Sequence, residues 1–174
     1  MYLISLYFDE KTDNQIRSYM KQIAKHTGNT AMIDGNVPPH ITVAAFGTDS
    51  EESAVELFQK IASKLCAGEI FWVSVGTFLP KVFYISPVLN EYLHYLSEMI
   101  YKEINHNENV VPKGSYGPYK WVAHATLAKH LKNEQMRIAF KVMQDQFAPF
   151  ESKVIKCGLA KTNPYKELLI YDLK

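Results

Sequence analysis

Apolar and polar positions along the chain follow two different periods. Residues 2–8 (Tyr-Leu-Ile-Ser-Leu-Tyr-Phe) are β-formers and read as a strand. Thr12 followed by Gln15 resembles a capping box, and Ile16, Tyr19, Met20 and Ile23 then fall at helical spacing, with Gly28 as the stop. Asp34 to Pro39 is a loop, and His40–Phe46 is a short strand. A second helix is predicted from Ser50 to Ala67 on the stripe Ala54, Leu57, Phe58, Ile61 and Leu65, closed by Gly68. Ile70–Phe78 and Val82–Ile85 read as a hairpin, and Asn90–Ile104 as a third helix with Leu93, Leu96, Ile100 and Ile104 on one side. Residues 105–120 show no period, and an irregular run of that length in a compact domain is commonly functional or disordered. Trp121–His130 is the next strand, Asn133–Phe147 the fourth helix, and Phe150–Leu159 and Leu168–Leu173 are closing strands, with Asn163-Pro164-Tyr165 as a turn. Helices and strands mix without strict βαβ alternation. This predicts an α+β fold, with helices packed outside antiparallel sheets.

Composition narrows the options. The chain has 174 residues, 47% of them hydrophobic and 21% charged, which suits one globular unit spanning residues 1–174. Nineteen basic residues against 18 acidic ones give a net charge of +1. That excludes binding to long nucleic acid by counterion release alone and leaves room for a local site for one or two phosphates. Cys66 and Cys157 form no CxxC pair, and free thiols in a reducing cytoplasm are the simpler reading, a single disulfide the alternative. The N-terminus lacks the basic start and cleavage site of a signal peptide. Ile70–Leu89 is apolar and long enough for a membrane span, but Leu79-Pro80-Lys81 divides it into two strands.

The candidate chemistry lies in two short segments of one pattern, Pro39-His40-Ile41-Thr42-Val43-Ala44-Ala45-Phe46 and Ala123-His124-Ala125-Thr126-Leu127-Ala128-Lys129-His130. Side chains two apart share a strand face, so each segment offers a histidine and a threonine side by side. The following alanine, Ala44 or Ala128, is expected to leave space above the sheet. Imidazole titrates near pH 6.5, so one histidine can take a proton from a nucleophile while the other gives one to a leaving oxygen. The threonine hydroxyls can bond non-bridging phosphoryl oxygens, and the scheme needs no metal. A lone His-x-Thr is commonplace; two copies, each followed by x-Ala, point to function.

These segments resemble the two signature motifs of the 2H phosphoesterase superfamily, whose members include 2′-5′ RNA ligases and 2′,3′-cyclic nucleotide phosphodiesterases. The resemblance implies a two-lobed fold with pseudo-twofold antiparallel sheets, outer helices and a central cleft. It implies attack on a phosphodiester without cofactor or metal, with His40 and His124 as the acid–base pair and Thr42 and Thr126 as phosphate ligands. The substrate class implied is a 2′,3′-cyclic phosphate or 2′-5′ bond at an RNA end or in a small nucleotide, with 2′-5′ ligation as the reverse reaction. A nucleotide- or RNA-end-binding protein of weak turnover is the alternative. Family members often carry arginine after the second motif and proline before its histidine; Lys129 and Ala123 stand there, and lysine keeps the charge without the two-pronged grip. On an ideal strand Lys129 also alternates away from His124.

Four residues are candidates for substrate contact: Phe46, Lys129, Tyr119 and Trp121. Phe46 shares the His40 face and can stack on a base or belong to the core. Tyr116, Tyr119 and Trp121 with Lys113 and Lys120 combine aromatics and positive charge as single-strand sites do, and Gly114 and Gly117 can hinge that loop over a substrate. A plain exposed loop is the other reading. His130 is expected at the rim, and His26, His94 and His106 at the surface.

Overall fold

Asp9 ends strand β1 (Tyr2–Phe8) and starts helix α1 (Glu10–Thr27) in a computed structural model that describes residues 1–162 and 165–174. The turn read at Asn163 and Pro164 lies outside the described residues. The Asp9 carboxylate accepts the Thr12 amide and hydroxyl, both at 3.0 Å, so Thr12 is the cap's partner instead of the cap expected of it. Gly28 closes α1 in the left-handed region at φ 69°, a conformation that costs glycine nothing. A single turn, α2 (Ala31–Asp34), precedes β2 (Ile41–Thr48). Helix α3 (Glu51–Ala62) is capped by Ser50, where its start was expected, and ends short of Ala67. Gly68 opens β3 (Gly68–Phe78) instead of closing the helix, because the Tyr92 ring fills the place of its missing side chain, 2.3 Å from an ideal Cβ.

Strand β4 (Val82–Pro87) completes the hairpin, and α4 (Glu91–Asn105) is capped by Asn90. The irregular run contains β5 (Val110–Pro112) and a 3-10 turn, Gly114–Tyr116. Strand β6 covers only Ala125–Ala128 of the expected Trp121–His130. Helix α5 (Asn133–Gln146), β7 (Phe150–Lys161) and β8 (Lys166–Asp172) close the chain. Among the described residues no helix is long and apolar enough to cross a membrane. Both cysteines are free, Cys66 exposed and Cys157 buried, and burial pushes the Cys157 thiol up to about 12.

The unit β1–α1–β2–α3–β3 recurs as β4–α4–β6–α5–β7. Within each unit the first two strands pair antiparallel, β1 with β2 and β4 with β6. The third strand is handed to the other unit: β3 pairs with β4, and β7 with β1. Helices are exchanged in the same way, α1 packing on α5 and β6, α4 on α3 and β2. This is the two-lobed pseudo-twofold arrangement. Strand β7 joins the lobes, because Val154–Lys161 pairs with β1 while Phe150–Val154 pairs with β3. The ladders therefore run as one eight-stranded sheet, β5-β2-β1-β7-β3-β4-β6, with β8 on β7. The apolar stripes of α1, α3 and α4 are buried as their spacing predicts.

Candidate active site

Each motif strand carries a β-bulge at the same place. In β2, Thr42 lies opposite Ser5 and Ala44 opposite Ile4, so Val43 is the extra residue. In β6, Thr126 lies opposite Tyr84 and Ala128 opposite Phe83, with Leu127 extra. Directly opposed residues of an antiparallel pair share a face. Ala44 and Ala128 therefore join Ile4 and Phe83, both 0% exposed, on the core side. They pack the core; they do not open space above the sheet. Phe46 follows them: it is 1% exposed, lies opposite Tyr2 and stacks on it at 5.8 Å. The expectation that it shares the His40 face fails because simple alternation ends at the bulge. Phe46 is core, and no base can reach it.

The two histidines stand just ahead of their strands and are held alike. His40 Nδ1 lies 2.7 Å from the Pro38 carbonyl, and His124 Nδ1 lies 2.7 Å from the Val122 carbonyl. A carbonyl only accepts, so each Nδ1 must carry the proton and donate it. Nε2 is then the nitrogen left to gain or lose a proton in both rings. Burial lowers the His40 pKa below 6.5, the Pro38 bond opposes that, and the positive charge of His124 lowers it further. The rings thus stand within electrostatic reach of one another. Burial likewise lowers His124, against the Val122 bond.

Aromatic rings frame both histidines. Phe78 meets His124 edge-on at 4.8 Å and Tyr84 lies 5.2 Å from it; Tyr7 lies 6.4 Å from His40. Each tyrosine lies over a glycine of the neighbouring strand. A Cβ on Gly76 would come within 2.6 Å of the Tyr84 ring, and one on Gly158 within 2.7 Å of the Tyr7 ring. Alternation alone marked none of Tyr7, Phe78 or Tyr84, since aromatics in strands read as core. The glycines beneath the two tyrosines, Gly76 and Gly158, are the signal in the sequence that could have found those two; Phe78 has no such mark.

Thr42 is 7% exposed, its hydroxyl 3.5 Å from Ser5 Oγ; Thr126 is half-buried. Trp121 is 7% exposed and its indole N–H donates to the Thr42 carbonyl at 2.9 Å, a strut between the two motif regions. Its ring also borders a cavity of about 250 Å³ shared with His124, Phe78, Tyr116 and Lys120. Tyr119 lies elsewhere: it is 81% exposed, and its hydroxyl meets His94 Nε2 at 3.2 Å and Glu98 at 3.4 Å on α4. Lys129 is half-buried just past β6, and its backbone carbonyl accepts from Asn29 at 3.2 Å. Among the described residues no three His, Cys, Asp or Glu side chains gather into a group able to hold a metal.

The 2′-5′ RNA ligase superfamily matches residues 9–165, nearly the whole chain and both motifs. The chain belongs to this superfamily. No curated protein matches it. Among solved structures, that of Escherichia coli LigT complexed with 3′-AMP superposes with a TM-score of 0.66 at 14% identity, covering 99% of this chain and 97% of LigT. A structure described as a phosphoesterase gives 0.65 at 14% identity, covering 99% and 98%. LigT complexed with ATP gives 0.62 at 16% identity, covering 99% and 96%. At such identities the superpositions speak for the fold, and they agree with the α+β class and repeated-unit topology described above.

Proposed function

We propose that this superfamily member is a metal-independent phosphoesterase acting on a 2′,3′-cyclic phosphate or a 2′-5′ phosphodiester at an RNA end or in a small nucleotide. The observation that carries the reading is the matched tethering of the two imidazoles, each with Nδ1 on the carbonyl two residues back and Nε2 left to work. In hydrolysis, one Nε2 takes the proton of water as its oxygen attacks phosphorus. The P–O bond to the ribose breaks, and the other Nε2 protonates the departing oxygen. Burial lowers both imidazoles and their charges repel one another equally, but His40 is the more deeply buried of the two, so we take His40 as the ring left neutral when the pair holds one proton. We assign it the base role, with His124 as acid; in ligation a ribose 5′-hydroxyl takes the place of water, the P–O bond to the 3′ oxygen of the cyclic phosphate breaks, and the same two roles serve. Thr42 and Thr126 are assigned to the non-bridging oxygens. A net charge of +1 favours a short substrate, and LigT's complexes with 3′-AMP and ATP favour a nucleotide.

The test is turnover of 2′,3′-cyclic mononucleotides in EDTA. Wild type is expected to hydrolyse them, and His40→Ala or His124→Ala to lose about 10²–10⁴ in kcat/KM, the usual worth of a positioned proton transfer. Activity that survives both substitutions, or that disappears with the chelator, defeats the mechanism. Tight binding with no product after long incubation supports a binding protein instead.

A further inference from the structure

Grooves of opposite character flank the two histidines. Beside His124, the cavity of about 250 Å³ is walled by Phe78, Tyr116 and Trp121, and among the described residues its charged wall residue is Lys120. On the His40 side, a groove of about 360 Å³ lies where the end of β1 meets β7 and β8. Tyr7 and Pro38 line it, and both are neighbours of His40, which stands behind them and not in the groove wall: the Tyr7 ring centroid lies 6.4 Å from the imidazole, and Pro38 supplies the carbonyl that holds Nδ1. Ile170, opposite Gly158 in the β7–β8 ladder, extends the same surface.

The charges of this second groove do not cancel. Its ionic wall residues are Glu10, Asp13, Lys156 and Glu167. Asp13 is bridged to Arg17, and Lys156 to Asp172 at 3.5 Å. Among the described residues Glu10 and Glu167 have no ion-pair partner, so the groove is anionic. The field of Glu167 reaches its floor. The Tyr7 hydroxyl is held above its ordinary range by burial first, then by Tyr165, and then by the Glu167 carboxylate.

Building on the phosphodiester reading, we infer that Glu167, with Glu10, fixes the direction in which a substrate lies across the histidine pair. The arm of the diester against Tyr7 is an uncharged nucleoside end, and the arm that carries any further phosphate lies toward Lys120. A phosphate on the wrong arm meets Glu10 and Glu167, two carboxylates against the groove lysine, Lys156, which is itself bridged to Asp172. At about 10 Å and the effective dielectric of a protein surface, one such repulsion is worth about tenfold at low salt and less as salt screens it. A neutral ribose or base meets no such penalty and gains the faces of Tyr7 and Ile170.

The experiment uses three 2′-5′-linked diadenosine monophosphates: one without a terminal phosphate, one with a 5′-terminal phosphate and one with a phosphate at the opposite end. The readout is kcat/KM at low and at moderate ionic strength. One singly phosphorylated dinucleotide is expected within about threefold of the unphosphorylated compound, and the other about tenfold or more below it. Moderate salt should narrow that gap. So should Glu167→Gln, by raising kcat/KM for the disfavoured compound, a gain that mere structural damage does not produce. Equal rates for the two, or a gap that survives both salt and Glu167→Gln, overturn the inference. Should wild type turn over none of the three, the 2′-5′ half of the phosphodiester reading falls, and cyclic mononucleotide turnover alone tests the other half. Dissociation constants for the same compounds by calorimetry then decide the charge argument on the same criterion, and no binding at all overturns it too.

Discussion

A histidine's usefulness depends on which nitrogen is tied down, and here the backbone ties both rings by the same atom. Because burial lowers both imidazoles below 6.5, the state with one proton shared between them is fullest on the acid side of that value. Catalysis needs the acid still protonated, so kcat/KM for a cyclic mononucleotide should fall above about pH 6.5, approaching tenfold per pH unit. A pH–rate profile flat to pH 8 would contradict the depressed pair. The two His-x-Thr motifs were legible in the sequence, because imidazole and hydroxyl at a two-residue spacing already imply a shared face. The tether to a carbonyl was not, since every residue has a carbonyl and only the fold says which one is near. Phe46 was misplaced for a related reason. One residue inserted in a ladder reverses every face after it, and nothing in Val43 or Leu127 announces the insertion.

At the level of elements, the short irregular run before β6 does more than its lack of regular structure suggests. Trp121 reaches from it to the Thr42 carbonyl in β2 and so couples the two motif regions. Trp121→Phe should keep most of the packing and leave that buried carbonyl without its donor. The expected cost is about 1 kcal/mol in urea unfolding, together with a fall in kcat larger than the change in KM. No loss of stability would show that the strut carries no load. Three of the four long helices, α1, α3 and α4, were visible as apolar stripes, a pattern each helix holds within itself. Strand β5 was hidden in the irregular stretch, because its three residues are a strand only by virtue of the β2 edge beside them. The start of α1 was misread by a few residues because Asp9 and Thr12 both have the chemistry of a cap. Asp9 takes the role because its carboxylate also accepts the Lys153 amide from β7, at 2.9 Å, a contact invisible to local sequence.

On the scale of the whole molecule, the mixed class and its outer helices followed from the order of elements, but the pairing order did not. Strand β7 is one uninterrupted run of residues, and only its length hints that it serves two neighbours. The exchange of β3 and β7 between the units has a practical consequence. Cutting the chain at the exposed tip of the β3–β4 hairpin, Leu79 being 79% exposed, leaves β3 in one piece with both its ladder partners, β4 and β7, in the other, and leaves β7 with β8 alone beside it. Produced separately, residues 1–79 and 80–174 should show no cooperative thermal transition and should precipitate through their bare edges. Produced together, they should reassemble and recover hydrolysis of a cyclic mononucleotide. Nicked in this way, the protein would serve as its own two-fragment reporter, silent until both pieces meet.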